Sequence, residues 1–304
     1  MKNSLALLFG AHLLMASATF GTDPGSLLRR HATSGDAPTS DVKAVADVAV
    51  ESARFDALAA EEKKASRDAI TVYSTDRIVP LIVTGEAGSS SIVTRIDVVN
   101  TGTRTTEMLI EFFDAFGDRI ALPLLNESLD SIGPTNAAGT SMGVKTVAKV
   151  YVIPQDSRTR MAYARVRTTP SGSAEVFVTH MALSDDGAAT ASSTGRRNDS
   201  REYYFLVNPS RTPGWSLSLA NMSSLSLTAT ITARSMSGRL LCQGIATLAS
   251  GGMLNSRVPQ TDTCFSSLQS EFLLEVIGSR DGLQATTYSF GANAMEILPP
   301  VIRQ

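Results

Sequence analysis

The sequence predicts an all-β chain: two tandem antiparallel β-sandwiches behind an N-terminal leader. Three features predict it. From Thr71 onward apolar and polar residues alternate in short runs, the period of strands with one buried face. Turn signals centred on Asn and Gly separate those runs. The same order of runs and turns then recurs in the second half of the chain, which marks an internal repeat.

The N-terminus has the grammar of a signal peptide covering residues 1–18: Lys2, an apolar stretch at 5–16 (LALLFGAHLLMA), then Ala16-Ser17-Ala18 as a small-x-small cleavage site. The apolar stretch is shorter than the ~20 residues a spanning helix needs, and no later stretch is long and apolar enough. The expectation is an exported chain, periplasmic, at the cell surface or extracellular, with no transmembrane segment once mature. Residues 19–70 read as a flexible leader, rich in Ser, Gly, Pro and Asp at 22–40, with a candidate helix at 41–67. There Val42, Val45, Ala49 and Ala53 recur at helical spacing and Ser40 or Asp41 offers a cap.

The first sandwich is expected at 71–183. Its clearest strands lie around 92–99 and 108–113, joined through Asn100-Thr101-Gly102, with a hairpin turn at 114–118 around Gly117. Further alternation covers 162–167 and 176–182. Residues 184–200 (SDDGAATASSTGRRNDS) lack large apolar side chains and read as a linker or mobile loop. The second sandwich then occupies 201–304. Asn221 stands 121 residues after Asn100, and Gly238 stands 121 after Gly117. Farther on the offset reads as 110, matching Val166 with Val276 and His180 with Phe290. That difference of 11 places extra sequence in the first copy, within 123–146.

Residues 92–100 (IVTRIDVVN), 112–124 (FFDAFGDRIALPL), 214–221 (GWSLSLAN) and 288–301 (YSFGANAMEILPPV) together give a strand, an Asn turn, a second strand, a glycine hairpin and a Leu-Pro segment. The pattern resembles secreted bacterial proteins with tandem immunoglobulin-like β-sandwich repeats, a family of unknown function. The resemblance implies a fold and a compartment, and brings no catalytic residues with it.

The chemistry-bearing residues are few. Of 304 residues, 43% are hydrophobic and 18% charged, with a net charge of −2. That balance supports real cores and lacks the basic face nucleic acid requires; Arg158, Arg160, Arg165 and Arg167 read as solvated strand faces. Cys242 and Cys264 are the only cysteines. In an exported chain they read as a disulfide, since no His or further Cys completes a zinc set. His180 is the one histidine in a strand segment, sharing a face with Val176 and Val178, and reads as a packing residue. The acidic pairs Asp114/Asp118, Glu107/Glu111 and Asp185/Asp186 fall on turns or outward strand positions, none spaced as a calcium loop. Trp215 shares a face with Leu217 and Leu219 and is expected in the core.

No catalytic, cofactor-binding or metal-binding residue is therefore expected. The leading expectation is a non-enzymatic exported binding or structural module, with an unknown protein or polysaccharide partner at the cell surface. The alternatives are a carbohydrate- or polymer-binding surface protein, and a glycosidase-like hydrolase with an unrecognised carboxylate pair. Sandwiches carry recognition on loops, so the extra stretch of the first copy supplies the candidate binding loop: Asn126, Glu127, Leu129, Asp130 and Ile132.

Overall fold

The alternating runs form strands, and the named strands pair antiparallel throughout. The computed structural model describes residues 23–31, 39–65, 76–87, 89–169, 174–194, 196–197, 201–210, 215–256, 263–290 and 295–298. The expected signal peptide lies outside them. In chain order the first half contains α1 (Pro24–His31), β1 (Lys43–Ala44), α2 (Val48–Ala65), β2 (Asp76–Ala87), β3 (Ser90–Asn100), β4 (Thr106–Phe113), β5 (Leu122–Leu125), β6 (Ser131–Thr135), β7 (Ala137–Met142), β8 (Val147–Val152), β9 (Arg160–Thr169), β10 (Ala174–Ser184), β11 (Gly187–Thr194) and β12 (Arg196–Arg197). One sheet runs β1-β7-β4-β9-β2; the other runs β6-β5-β8-β3-β10-β11. Strand β2 belongs to both: residues 76–84 pair with β9 and residues 85–87 with β3. The two sheets share one core, in which Ile96, Val98, Val176 and Val178 meet Ile110, Phe112, Ala164 and Val166.

The second half contains β13 (Glu202–Val207), β14 (Ser216–Asn221), β15 (Leu227–Ser235), β16 (Leu240–Leu248), β17 (Met253–Ser256), α3 (Thr263–Ser266), β18 (Phe272–Gly278), β19 (Leu283–Phe290) and β20 (Met295–Leu298). Its sheets run β13-β18-β15-β16 and β17-β14-β19-β20. This is the order β2-β9-β4-β7 and β8-β3-β10-β11 of the first half. Trp215 lies in the shared core, edge-on to Phe272 at 5.6 Å. Cys242 and Cys264 form a disulfide with Cα atoms 6.0 Å apart, tying β16 to α3. In an immunoglobulin domain the first strand lies beside the second and the seventh beside the sixth. Here the first lies beside the sixth (β13 on β18) and the seventh beside the second (β19 on β14).

The matching turns are matched atom for atom. Asn100 is fully buried; its Nδ2 donates to the carbonyls of Arg104 (2.8 Å), Met142 (3.3 Å) and Gly143 (2.9 Å). Its Oδ1 accepts the N–H of Gly102 at 2.9 Å. Asn221, equally buried, donates to Leu225 (2.8 Å), Leu248 (3.2 Å) and Ala249 (2.8 Å) and accepts from the N–H of Ser223 at 2.9 Å. Gly117 and Gly238 take φ of +89° and +84° in equivalent hairpin turns, a conformation that favours glycine.

Strand pairing corrects the repeat alignment beyond those turns. Met142 and Leu248 occupy equivalent ladder positions, 106 residues apart. The first half thus carries fifteen extra residues, not eleven, and they form the β5–β6 hairpin, added to its sheet through β8. Cys242 then corresponds to Asn136. His180 corresponds to Ser289, not Phe290, because Thr94 pairs with His180 and Ser216 pairs with Tyr288.

Three further expectations change. The expected linker at 184–200 is largely strand: β11 folds back on β10 through Asp185-Asp186, and residues 198–200 lie outside the described residues. The leader is not simply flexible, since α1 buries Leu27 and Leu28 against Val93, Leu125, Leu129, Tyr151, Met181 and Leu183. The candidate helix at 41–67 starts instead at Val48, where Asp47 accepts the N–H of Val50 at 3.1 Å as its cap; Lys43 and Ala44 pair with β7.

Helix α2 also overturns two sequence expectations about charge. Glu111 and Arg167 are not solvated: their side chains are 0% and 3% exposed beneath α2. Arg167 Nη2 donates to Glu111 Oε2 at 2.6 Å and Nη1 to Asp56 at 2.7 Å; Arg119 holds the other Glu111 oxygen at 2.8 Å. Burial pushes the Glu111 carboxyl up, but Arg119 and Arg167 outweigh it and hold it below its usual range.

The two halves are in contact. Leu81, Val83 and Tyr163 pack with Ala220, Met253 and Tyr288. Met253 N–H donates to the Ala115 carbonyl at 2.7 Å, and Tyr163 Oη to that of Gly251 at 3.0 Å.

Candidate functional site

The candidate loop residues do not act together. Asn126 and Asp130 close the β5–β6 turn: Asn126 N–H donates to the Asp130 carbonyl at 3.0 Å, and Asn126 Oδ1 accepts the Asp130 N–H at 2.9 Å. Leu129 takes φ +62°, an unfavourable conformation for a side-chain-bearing residue. It is held there by burial against α1 and by Arg29 Nη2, which donates to its carbonyl at 3.2 Å. Ile132 packs against the main core. Only Glu127 turns into a polar cluster.

That cluster lies on the outer face of the sheet that β5 and β6 extend. Antiparallel register aligns Phe177 with Asp97 and Asp97 with Lys149; the next row aligns Thr179, Arg95, Tyr151 and Leu125. Alternation puts all of these on the face away from the core. α1 covers the Tyr151 end and leaves Phe177 44% exposed. Arg95 Nη2 pairs with Asp97 Oδ2 at 2.9 Å. Asp97 Oδ1, Glu127 Oε2 and Arg95 Nε are buried and have no hydrogen-bond partner among the described residues.

Asp97, Glu127 and Tyr151 share charged neighbours. Burial raises the Asp97 carboxyl above its usual range, against the pull of Arg95 and Lys149. Burial likewise raises Glu127, aided by Asp41 and opposed by Thr39 and Lys149. Tyr151 is raised by burial and feels Arg95, Asp97 and Glu127. Lys149 thus acts on both carboxyls. Unpaired acceptors in a partly desolvated site call for a donor-bearing ligand, since each unmet group costs about 1–3 kcal/mol.

Two other places carry polar chemistry: Arg54 with its carboxylates, and His180, whose Nε2 is buried without a hydrogen-bond partner among the described residues. A shallow cavity of about 370 Å³ beside α2 is lined by Arg54, which pairs with both Glu51 and Glu107. His180 is 1% exposed. Thr94 Oγ1 donates to the Val83 carbonyl (2.7 Å) and accepts the Val83 N–H (3.0 Å). With its proton so used, Thr94 accepts from His180 Nδ1 at 3.0 Å, which assigns the Nδ1–H tautomer. Burial pushes the imidazole down to about 4.

Sequence reasoning missed Asp97, Lys149 and Arg95, which lie on β3 and β8 with no motif to mark them; only Glu127 fell inside the candidate stretch. Among the described residues no group of His, Cys, Asp and Glu is arranged to hold a metal ion, and no helix is long and apolar enough to cross a membrane. In comparisons with known proteins, no family model, curated protein or solved structure matches the chain.

Proposed function

We propose that the protein is an exported, non-enzymatic binding module made of two tandem copies of one antiparallel β-sandwich, and that it recognises its ligand on the outer face around Phe177, Asp97, Lys149 and Glu127. The observation that carries this reading is the pair of carboxylate oxygens, Asp97 Oδ1 and Glu127 Oε2, buried without partners. A ligand rich in hydroxyl or amino donors supplies what they lack. The tandem-copy reading is supported by the hydrogen bonds that Asn100 and Asn221 share, and export by the leader pattern and the disulfide. The β5–β6 hairpin, present in the first copy alone, delivers Glu127 and so distinguishes this face from its equivalent in the second copy, where Ser218 and Ala220 pack against the first half.

A polysaccharide ligand is favoured by one further observation. Phe177 presents an exposed ring in line with Asp97, and sugars offer an apolar face beside their hydroxyls. Trp215 and Tyr203 contribute nothing to such a platform, being buried in the second core. The test is a glycan array probed with the mature chain, with Glu127→Gln and Asp97→Asn as controls. Binding to a defined saccharide class that both variants lose supports the reading. Turnover of a glycoside by wild type, abolished by Asp97→Asn, replaces it with the hydrolase alternative.

A further inference from the structure

The outer face of the β13-β18-β15-β16 sheet carries several exposed apolar side chains among its polar ones. Register sets its rows: Leu206, Leu273, Arg234 and Leu240; then Tyr204, Glu275, Thr232 and Gln243; then Glu202, Ile277, Thr230 and Ile245. Leu206, Leu240 and Ile245 are 41%, 52% and 73% exposed, and Met236 in the adjoining turn is 64% exposed. Scattered apolar side chains are ordinary on a surface, but a contiguous group marks an interaction site.

The first half shows what such a face is for. There the equivalent surface is covered twice. α2 lies over Leu109 and Ala137, and the second half packs on Phe113, Ala115 and Tyr163. By strand position those last three correspond to Arg234, Met236 and Leu273. The second half thus repeats, in exposed form, the surface by which the first half holds its neighbour.

We propose that this face docks a second copy of the chain, sheet against sheet about a two-fold axis. Three features select that occupant. The central charges are one cation and one anion side by side, Arg234 Nε and Glu275 Oε2 at 3.4 Å. A two-fold copy presents them reversed, so each meets its opposite. A helix docked as α2 is docked lacks its anchors here, because Thr232 and Ile277 stand where Glu111 and Arg167 stand. The size also fits a reversible dimer. Four strands ~4.8 Å apart and about seven residues long, at ~3.4 Å each, give roughly 450 Å² per copy. Roughly 900 Å² in total lies in the range of weak, reversible association.

The test is sedimentation equilibrium of the mature full-length chain from about 1 to about 300 μM, where micromolar association is read directly. A concentration-dependent monomer–dimer equilibrium is expected. Ile245→Lys and, separately, Leu240→Asp weaken it at least about tenfold with unchanged melting, whereas Phe177→Glu on β10 of the first half leaves it intact. A monomer throughout the range overturns the proposal. So does a dimer indifferent to both Ile245→Lys and Leu240→Asp, or one abolished by Phe177→Glu. Ligand binding at Asp97 and Glu127 is scored separately and does not enter this result.

Discussion

Asn100 and Asn221, 121 residues apart, each tie a strand end to its turn and to the end of a strand in the facing sheet, β7 or β16, with the same three donated bonds and one accepted bond. Both side chains are buried, so removing either strands carbonyls that water reaches poorly. Asn221→Ala and Asn100→Ala are each expected to cost about 3 kcal/mol in urea unfolding. A cost under about 1 kcal/mol would mean that the turns hold themselves.

The buried charges beneath α2 make a second prediction. Arg167→Met leaves Glu111 with Arg119 alone and removes the bond to Asp56. Breaking a buried pair from one side costs about 3–5 kcal/mol. Hydrogen exchange should speed up first in α2. The double variant Glu111→Leu/Arg167→Met should recover much of the loss. If it is no better than the single variant, the pair itself is not what holds the helix.

His180 predicts a pH dependence. Its folded value near 4 lies below the ordinary 6.5, so the unfolded chain takes up the proton first as pH falls. The associated stability is complete above 6.5 and is lost progressively toward 4. Between about pH 7 and about pH 5 the loss amounts to about 2 kcal/mol. His180→Gln keeps a donor for Thr94 and does not titrate, so its stability should change less over that interval. Equal pH slopes for wild type and variant would refute the assignment.

Reduction of the Cys242–Cys264 bond, which closes a separation of 22 residues, should destabilise the second half by about 3 kcal/mol. Thermal unfolding followed at Trp215, the sole tryptophan and a member of that core, reads the change. An unaltered midpoint under reducing conditions would show that β16 and α3 are secured by packing alone.

Much of the architecture was legible. Alternation identified the strands around Ile96, Ile110, Val166 and Val178, and the Asn and Gly turns aligned the halves at Asn221 and Gly238. Strand β11 was not legible because Gly187, Ala188, Ala189 and Ala191 give no apolar period; its pairing comes from backbone bonds to β10. α1 was missed because only two leucines in a Gly- and Arg-containing segment carry its apolar contact. Alternation placed Glu111 and Arg167 on an outer face, as the structure does, but it does not reveal that a helix from 48–65 lies over them. The candidate site was legible only at Glu127, since Asp97 lies thirty residues earlier in the chain, on β3, with β8 between it and the strand that leads to Glu127.

The binding face is the central claim, and backbone chemical-shift mapping tests it most directly. The mature chain, labelled with ¹⁵N, is titrated with the strongest saccharide from the array. The account predicts that shifts concentrate at Asp97, Lys149, Glu127 and Phe177 and vanish in Glu127→Gln, whose melting temperature stays unchanged. Shifts confined to the α2 groove around Arg54 and Glu107, or retained in full by Glu127→Gln, would contradict it.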